Sequence, residues 1–502
     1  MRLSSLAEGV PHRRVGPPGD PEVRAVTHDS RRAGAGILFA AFPGRKVDGR
    51  AFVAEAVLAG APAAIGPAPA PDGVEVPYLE VENPRRAAGL LAARLADEPS
   101  AALVMAGVTG TSGKTTTTLL LDGALAGAHP KRGLFGTLVY RWGEGAAGTL
   151  DASRTTPEAT ELQPMLGALV AGGGTAAILE CSSHALWLER LAGCTFDVAV
   201  FLNLTHDHLD DHGTMEAYFE EKAKLFTLLK PTGTAVVNAD DPWGRVLLAR
   251  LSGGRTLSFS LSAAAGADVT GEVRPAADGL ALRVARRATG EAFEIDSPLL
   301  GAANAENLLA AASAALALGL PPAEVGARLG AVAAVPGRLE PVPNALGLLV
   351  LVDYAHKPAA LEGVLRTTRA LAASRGGALH VLFGCGGDRD RGKRAVMGRI
   401  AAERADRVVV TSDNPRSEEP AAIAAEVATG ARAAGREPLV VVDRREAIHR
   451  ALAEAAPGDV VVLAGKGHET YQVTAGRQEP FDDRVVAREA LSRLERARGD
   501  RR

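Results

Sequence analysis

The 502-residue sequence predicts an α/β chain in three domains: a small N-terminal α/β domain, a central α/β domain built around a phosphate-binding loop, and a C-terminal doubly wound domain. Three observations carry that expectation. The length suits about three domains of ordinary size, and the 47% hydrophobic content can fill several cores. Short apolar runs alternate with helical ones along most of the chain, which is the pattern of parallel sheets with crossover helices. Polar clusters stand at the C-terminal ends of those apolar runs, where ligands bind in open α/β sheets. Boundaries are read at 1–97, 98–335 and 336–502.

In the first segment the runs GILFAAFPG from Gly36, AFVAEAVLAGAPAAIG from Ala51 and VEVPYLEV from Val74 alternate short apolar and helical stretches, as in a small α/β domain. THDSRR, from Thr27 to Arg32, and PGRKVDGR, from Pro43 to Arg50, are polar loops beside them.

The second segment opens on an apolar run, Ala101 to Gly107, followed by GVTGTSGKTTTT from Gly107 to Thr118 and a helix-like run from Leu119. Strand, glycine-rich turn and helix in that order let backbone N–H groups and a helix N-terminus face an anion. The fold expected here is P-loop ATPase-like, with Gly110, Thr111, Ser112, Gly113 and Thr116 around the phosphates. Lys114 would meet the β/γ-phosphates and the Thr115 hydroxyl would ligate Mg²⁺. The first glycine of the usual spacing is missing, since Val108 occupies its place, so GTSGKTT is a shortened form.

Thr155-Thr156-Pro157 then precedes a helix, and the run from Thr175 to Glu180 reads as a buried strand ending in an acid. Glu180, at a strand end, is a candidate Mg²⁺ ligand. A strand from Phe196 delivers THDHLDDHG, from Thr205 to Gly213, in which His208 is the candidate ligand of a second metal. AYFEEKAKLF, from Ala217 to Phe226, reads as a helix, and TAVVN leads to the polar cluster around Asp240. Residues 250–300 look like short strands around polar turns. A loop carrying Asn304 and Asn307 then feeds a helix to Leu320, the asparagines either capping it or meeting an adenine edge.

A Pro-Gly turn near Val335 opens the third segment. Strands at Gly347–Tyr354, Leu379–Gly384, Ala405–Asp413, Pro438–Asp443 and Asp459–Gly465, separated by helices, predict a Rossmann-like, doubly wound sheet. Their ends carry DYAHK, GCGGDRDRGKR, DNPRSEEP and GKGHE, all on one edge. A dinucleotide fingerprint is excluded, because GxGxxG would need glycine where Arg389 stands. The tail from Asp483 to Arg498 is an amphipathic helix with Val486, Ala490 and Leu494 on one face.

Bulk properties narrow the class further. A net charge of −3 gives no basic field for nucleic acid. Three cysteines, Cys181, Cys194 and Cys385, are too few and scattered for a disulfide framework or a zinc site. The N-terminus lacks an apolar signal core, and the longest Ala/Leu run, Leu308 to Leu320, is too short to cross a bilayer. A cytoplasmic protein without membrane or nucleic-acid partners, acting as a monomer, is expected.

Taken together, GTSGKTT, TTP, ECSSHAL with Arg190, NLTHDHLDDHGT, YFEEKAKLF, NADD, GAANAEN, PGRLE, DYAHKP, FGCGGDRDRGKR, TSDNPRSEEP and AGKGHE resemble the Mur ligases in kind and order over nearly the whole chain. That resemblance implies an ATP-dependent, ADP-forming amide ligase of peptidoglycan precursor synthesis. Its acceptor would be UDP-N-acetylmuramoyl-L-alanyl-D-glutamate, activated as an acyl phosphate with two Mg²⁺ ions in place. By resemblance, Thr115, Glu180 and His208 hold metal, Lys114 acts on the phosphates, and Lys222 is carbamylated by CO₂, with Lys224 as the competing assignment. Asn304, Arg338, Asp353 and His356 match nucleotide contacts, although Lys357 stands where threonine is common. Ser30, Thr155, Thr156, Ser182 and Arg190 match contacts to the UDP-sugar dipeptide, with Leu188 in a position that is often glutamine. Arg389, Asp413, Asn414, Arg416, Gly465 and Glu469 match a diaminopimelate pocket, ornithine or lysine being the alternative amino acids. A folylpolyglutamate synthetase would lack the N-terminal DSRR loop and DNPRSEEP, and a P-loop ATPase would hydrolyse ATP without forming a bond.

Overall fold

The computed structural model describes residues 1–44, 47–207, 209–251, 253–262, 266–274 and 279–499. Two compact units are formed, one of Met1–Pro275, Ala281–Asp296 and Ala305–Ala331, the other of Ala276–Leu280, Ser297–Asn304 and Val332–Arg502.

The first unit contains two sheets. The N-terminal one has five strands in the order Arg13–Val15, Tyr78–Glu80, Ala64–Gly66, Ile37–Ala40, Ala25–Thr27, antiparallel only at the first pair. The expected strands and helix of this segment are present, the helix as Val53–Leu58. Leu38, Ile65 and Leu79 close a core with Leu3, Leu6 and Leu91. Helix Pro84–Leu95, capped by the Asn83 side chain on the Arg86 N–H, leads out of it.

The large sheet has eleven strands, and its centre is parallel. Val104–Thr109 lies between Ala176–Glu180 and Phe196–Phe201, in register Val108 to Glu180 and Val108 to Val200. Ala176–Glu180 is buried along its whole length, so it reads as an uninterrupted apolar run rather than an alternation. Met105, Phe135, Leu179, Phe196, Phe201 and Phe219 fill the core beneath, each fully buried large side chain contributing about 1.5–3 kcal/mol. The irregular stretch after residue 250 forms strands that extend this sheet: Arg255–Ser260, Val269–Arg274, Leu280–Arg286 and Ala292–Ser297.

Two helix starts differ from the sequence expectation. The helix after the glycine-rich loop begins at Lys114 rather than Leu119. Gly113, at φ +86°, makes the left-handed turn that lets the four threonines enter the helix directly. Helix Ala302–Ala317 likewise starts before both asparagines, so Asn304 and Asn307 are helical residues rather than parts of a feeding loop. There the turn is made by Gly301, at φ +90°.

The second unit holds a six-stranded sheet in the order Glu340–Val342, Leu349–Asp353, Val460–Ala464, Leu379–Phe383, Arg407–Val410, Leu439–Val440. All neighbours after the first pair are parallel, as the doubly wound expectation requires. Helices Pro358–Arg375, Gly392–Arg404 and Pro420–Ala433 supply crossovers, with Leu361, Met397 and Val427 in one core layer. The tail helix Asp483–Gly499 buries Val486, Ala490 and Leu491 on the other layer. A buried bidentate pair ties its start to that of helix Arg444–Ala453, Arg444 donating to Asp483 at 2.8 and 2.6 Å. Among the described residues no helix is long and apolar enough to cross a membrane.

Candidate active site

In the first unit the glycine-rich loop hangs from the end of Val104–Thr109 and is pinned by one residue of the neighbouring strand's exit. The Asn203 carbonyl accepts from Thr111 N–H at 3.0 Å, and its side-chain oxygen accepts from Ser112 N–H at 3.0 Å. Lys114 folds back over the loop, its Nζ donating to the carbonyls of Gly110 (2.7 Å) and Thr111 (3.1 Å). A side chain at Gly113 would run into Asn307 Oδ1, so the conformation and the space both demand glycine. Thr117 donates to that same oxygen at 3.4 Å.

Glu180 sits at the end of the adjacent strand with only 1% of its surface exposed. Its Oε2 accepts from the hydroxyls of Thr115 (3.0 Å) and Thr137 (3.1 Å), and its Oε1 from Thr137 N–H (2.7 Å). The structure therefore brings together the helix-starting threonine and the strand-end acid that the sequence singled out separately. Oxygen donors of this kind, one hydroxyl and one carboxylate beside a phosphate loop, suit a hard divalent cation that keeps several waters. Among the described residues no group of three or more His, Cys, Asp and Glu side chains is gathered in one place. His208 lies outside the described residues.

Lys222 points inward from helix Met215–Ala223, 1% exposed, and its Nζ donates to the Gly110 carbonyl at 2.9 Å. Two lysines thus converge on one loop carbonyl. Burial, reinforced by the Lys114 charge, holds the Lys222 ammonium well below the ordinary lysine pKa. Lys224 differs in every respect, with its side chain 45% exposed and paired to Glu221 at 2.6 Å. Around Lys222, Tyr218 lies under its Nζ at 4.6 Å, and His212 stacks on Tyr218 while meeting Ser183 Oγ at 3.1 Å.

Of the residues expected to meet the UDP-sugar dipeptide, Thr155, Thr156, Ser182 and Arg190 are linked to one another or to Glu180, Thr155 by way of Thr137. Thr156 donates to the Glu180 carbonyl at 2.6 Å, and Thr155 accepts from Thr137 at 3.3 Å. Ser182 caps helix Ser183–Trp187, of which Leu188 is the C-terminal cap. Arg190 donates to Glu158 Oε1 at 2.9 Å and to the Thr156 carbonyl at 3.3 Å. Sequence reasoning missed Glu158, which also takes Arg85 (2.8 Å) and Arg154 (2.9 Å). Three guanidiniums around one buried carboxylate leave the cluster positive. Arg154 directly precedes the Thr-Thr-Pro motif, a signal that was there to be read. Ser30, at the start of the turn Ser30–Arg32, donates to Glu55 of helix Val53–Leu58 at 3.3 Å, and nearby His28 meets Thr160 at 2.8 Å while stacking on Phe42.

In the second unit Asn304 donates to the Leu300 carbonyl at 2.8 Å. Arg338 stacks over the Tyr354 ring at 4.7 Å. Asp353, at the end of its strand, accepts from the N–H groups of Leu339 and Ala355, both at 2.8 Å. Its carboxyl is pushed up by burial, with Arg338 opposing. His356 meets the Tyr354 carbonyl at 2.8 Å, and burial lowers its pKa to about 4, so the ring is neutral at physiological pH.

Asp413, Asn414 and Glu469 form a second cluster on the loops after Arg407–Val410 and Val460–Ala464, two strands that flank Leu379–Phe383 in the same sheet. Asn414 donates to Glu469 Oε2 at 2.9 Å and, through its own oxygen, accepts from Lys466 at 3.2 Å. Lys466 is fully buried, 3.6 Å from both Asp413 and Glu469. Glu469 is raised above the usual carboxylate pKa by burial and by the Asp413 charge. Gly465, at φ +111°, opens the backbone beside Asp413. Arg416 donates to the Gly387 carbonyl at 2.7 Å, whereas Arg389 is exposed on the preceding loop. Lys466 lies inside GKGHE but was not singled out by the sequence reading.

Three family models cover the chain: the Mur ligase family, catalytic domain, at residues 22–95, the Mur ligase middle domain at 108–315, and the Mur ligase, glutamate ligase domain at 337–467. A UDP-N-acetylmuramoyl-L-alanyl-D-glutamate–2,6-diaminopimelate ligase of Gloeobacter violaceus is 45% identical, with 96% of each chain covered. The chain belongs to the Mur ligase family. Other relatives of this Mur ligase carry the same protein name, at 43% identity in Solibacter usitatus (94% of each chain) and 43% in Streptomyces coelicolor (95% of this chain, 94% of the other). Among solved structures, a UDP-N-acetylmuramoyl-L-alanyl-D-glutamate–2,6-diaminopimelate ligase superposes with a TM-score of 0.66 at 34% identity, covering 94% of this chain and 95% of the other. MurF ligase from Thermotoga maritima in complex with ADP shares the fold at a TM-score of 0.61 and 21% identity, covering 95% and 99%. The three-domain α/β architecture of the family is thereby that of this Mur ligase.

Proposed function

We propose that this Mur ligase joins meso-diaminopimelate to the D-glutamate of UDP-N-acetylmuramoyl-L-alanyl-D-glutamate, splitting ATP to ADP and phosphate, in cytoplasmic synthesis of a peptidoglycan precursor. The observation that carries the choice of amino acid is the grouping of Arg416 with Asp413, Asn414 and Glu469 on adjoining loops of one sheet edge. Meso-diaminopimelate bears a carboxylate and an ammonium at its far end, and a guanidinium fork with a nearby carboxylate answers both. Lysine and ornithine end in an ammonium alone, which Arg416 would repel.

The chemistry follows from charge. A carboxylate and a triphosphate repel each other, so the site must bring two anions together and stabilise charge on the phosphoryl group in transit. Lys114 and the helix-start N–H groups of Gly113, Thr115 and Thr116 are assigned to the phosphates, with Gly110, Thr111 and Ser112 forming the loop around them, the Thr111 and Ser112 N–H groups being held by Asn203. Thr115 and Glu180, with His208, are the residues that would hold magnesium, two ions being expected. Bound there, magnesium supplies positive charge next to the γ-phosphate.

The D-glutamate carboxylate oxygen attacks the γ-phosphorus and ADP leaves. The amine of the diamino acid then attacks the acyl carbon, and phosphate departs with the former carboxylate oxygen. Lys222 is the proposed carbamate site, since CO₂ requires an unprotonated amine and burial with the Lys114 charge favours that form here, and the exposed, ion-paired Lys224 is set aside. Ser30, Thr155, Thr156, Ser182 and Arg190 are assigned to the UDP-sugar dipeptide. Asn304, Arg338, Asp353 and His356 are assigned to the nucleotide, and Arg389 and Gly465 complete the amino-acid pocket. The domains are taken as 1–97, 98–335 and 336–502, in a monomer.

The test is a competition assay offering equal meso-diaminopimelate, lysine and ornithine with ATP and the UDP-sugar dipeptide. Diaminopimelate should be the amino acid consumed. Consumption of lysine or ornithine in its place refutes the assignment from Arg416.

A further inference from the structure

The loop that carries Arg416 is held in an unusual way. Arg416 occupies left-handed backbone at φ +55°, a region that residues with side chains other than Asn and Asp rarely visit, and faces Asp388, at φ +53°, one of the two types that do visit it. Such conformations persist only where the surroundings over-determine them. Here the surroundings are the Tyr471–Thr474 strand, where the Arg416 N–H donates to the Val473 carbonyl at 3.0 Å and the Arg416 carbonyl accepts from Ala475 N–H at 2.6 Å, and a set of ion pairs that the ligase chemistry does not use.

Arg394, on helix Gly392–Arg404, has a side chain only 1% exposed. Its guanidinium forks onto both oxygens of Glu418, at 2.8 and 3.0 Å, and reaches Glu426 at 3.0 Å. Glu418 in turn accepts the Asp388 N–H at 2.6 Å. The Asp388 carboxylate accepts from the Ser417 hydroxyl at 2.6 Å and from the Ser417 N–H at 3.1 Å. Loop 386–391 and loop 413–418 are thus laced together on the residues that flank Arg416.

The lacing has a geometric consequence for Arg416 itself. Its Nη1 donates to the carbonyls of Gly387 (2.7 Å) and Asn414 (3.4 Å), one from each laced loop. A Cβ at Gly386 would come within 2.8 Å of that nitrogen, so the guanidinium rests against a bare backbone. With Nη1 committed to carbonyls, the Nε–Nη2 edge is the one that this placement presents to a carboxylate. A shift of either loop would move the two carbonyls apart and release the fork.

We infer that Arg394, acting through Glu418 and Asp388, is a positioning residue that sets the orientation of Arg416 and hence recognition of the amino acid's far carboxylate. It touches no substrate. The inference rests on the reading of Arg416 given under Proposed function, and it adds that specificity is stored in a buried arginine one helix away from the pocket.

The test is a double-mutant cycle in steady-state kinetics, with thermal melting as the control for folding. KM and kcat are measured for meso-diaminopimelate, ATP and the UDP-sugar dipeptide on the full chain and on Glu418→Gln, Arg416→Ala and the double variant. Glu418→Gln should raise KM for diaminopimelate roughly tenfold, as befits loss of a charge-assisted contact, and leave the other two KM values within about twofold. In the Arg416→Ala background the same change should have no further effect on diaminopimelate. Asp388→Asn, on an exposed loop, should give a smaller rise of the same kind and keeps the test open if Glu418→Gln does not fold. Additive effects, or equal rises in all three KM values, overturn the inference by showing a general structural role. An unchanged KM for diaminopimelate in Glu418→Gln, alongside a raised one in Arg416→Ala, overturns the inference and leaves the Arg416 reading standing. An unchanged KM in Arg416→Ala overturns both.

Discussion

Replacing Glu180 with glutamine separates the stability of the central domain from its chemistry. The carboxylate accepts from the Thr115 hydroxyl, the Thr137 hydroxyl and the Thr137 N–H. Glutamine keeps one acceptor oxygen for the N–H, and both hydroxyls can rotate to accept from its amide nitrogen, so none of these three groups is stranded. Each bond nonetheless changes from a charged acceptor, worth about 1.5–3 kcal/mol, to a neutral partner worth about 0.5–1.5 kcal/mol. The buried position no longer bears an ionic desolvation cost, which offsets part of that loss. Net destabilisation of about 1 kcal/mol is expected, read as a small fall in melting temperature. Turnover should fall far more, on the order of 10²- to 10³-fold, because an electrostatic group that serves the transferring phosphoryl is gone. The assay is phosphate release with all three substrates, alongside a melt of the same preparation. Turnover within about threefold of wild type would refute the metal-site role, and loss of activity that merely tracks the unfolded fraction would assign Glu180 to folding alone.

Three further outcomes are expected. Lys222→Met should abolish turnover and remove a pH-dependent stability term: the buried amine has a lowered pKa, so the native state binds fewer protons than the unfolded chain and this position's contribution rises with pH toward about 10.4. In CO₂-free buffer the variant should therefore compare best with wild type at low pH, and urea titrations showing it relatively worse near pH 6 than near pH 9 would contradict the sign. Gly113→Ala should weaken ATP binding at least about tenfold in calorimetric titration, since a left-handed alanine costs about 1–2 kcal/mol and its Cβ meets Asn307; unchanged affinity would contradict the loop geometry. Arg444→Met should destabilise the C-terminal sheet by about 3–5 kcal/mol by leaving Asp483 buried without its partner, measurable as an early unfolding transition, and a loss below about 1 kcal/mol would argue against it.

Much of this site was legible because its determinants are local in sequence. GTSGKTT declares a strand-loop-helix turn through its glycines and threonines, and Glu180 announces itself as an acid closing a wholly apolar strand. Parallel β topology explains why those two meet, since adjacent strands deliver their C-terminal ends to one edge. Residues that act by crossing between elements were not legible. Asn203 pins the loop from a neighbouring strand exit, Thr137 reaches Glu180 from 43 positions away, and Glu158 gathers arginines from three separate segments. Asn203 and Glu158 stand at the edges of motifs that the sequence does display, NLTHDHLDDHGT and Thr-Thr-Pro, but which groups they reach is set only when the crossovers fold. The early start of helix Lys114–Leu125 was hidden for a different reason: threonine has low helix propensity, and burial against the strands overrides it.

The central mechanistic claim is that the substrate's carboxylate oxygen becomes part of the phosphate released. It is tested most directly by supplying UDP-N-acetylmuramoyl-L-alanyl-D-glutamate labelled with ¹⁸O in the D-glutamate side-chain carboxylate, together with ATP and meso-diaminopimelate, and weighing the products. An acyl phosphate requires that each phosphate formed carry one ¹⁸O for each amide bond made. Unlabelled phosphate, with the amide formed in equal amount, would mean that the carboxylate was never phosphorylated.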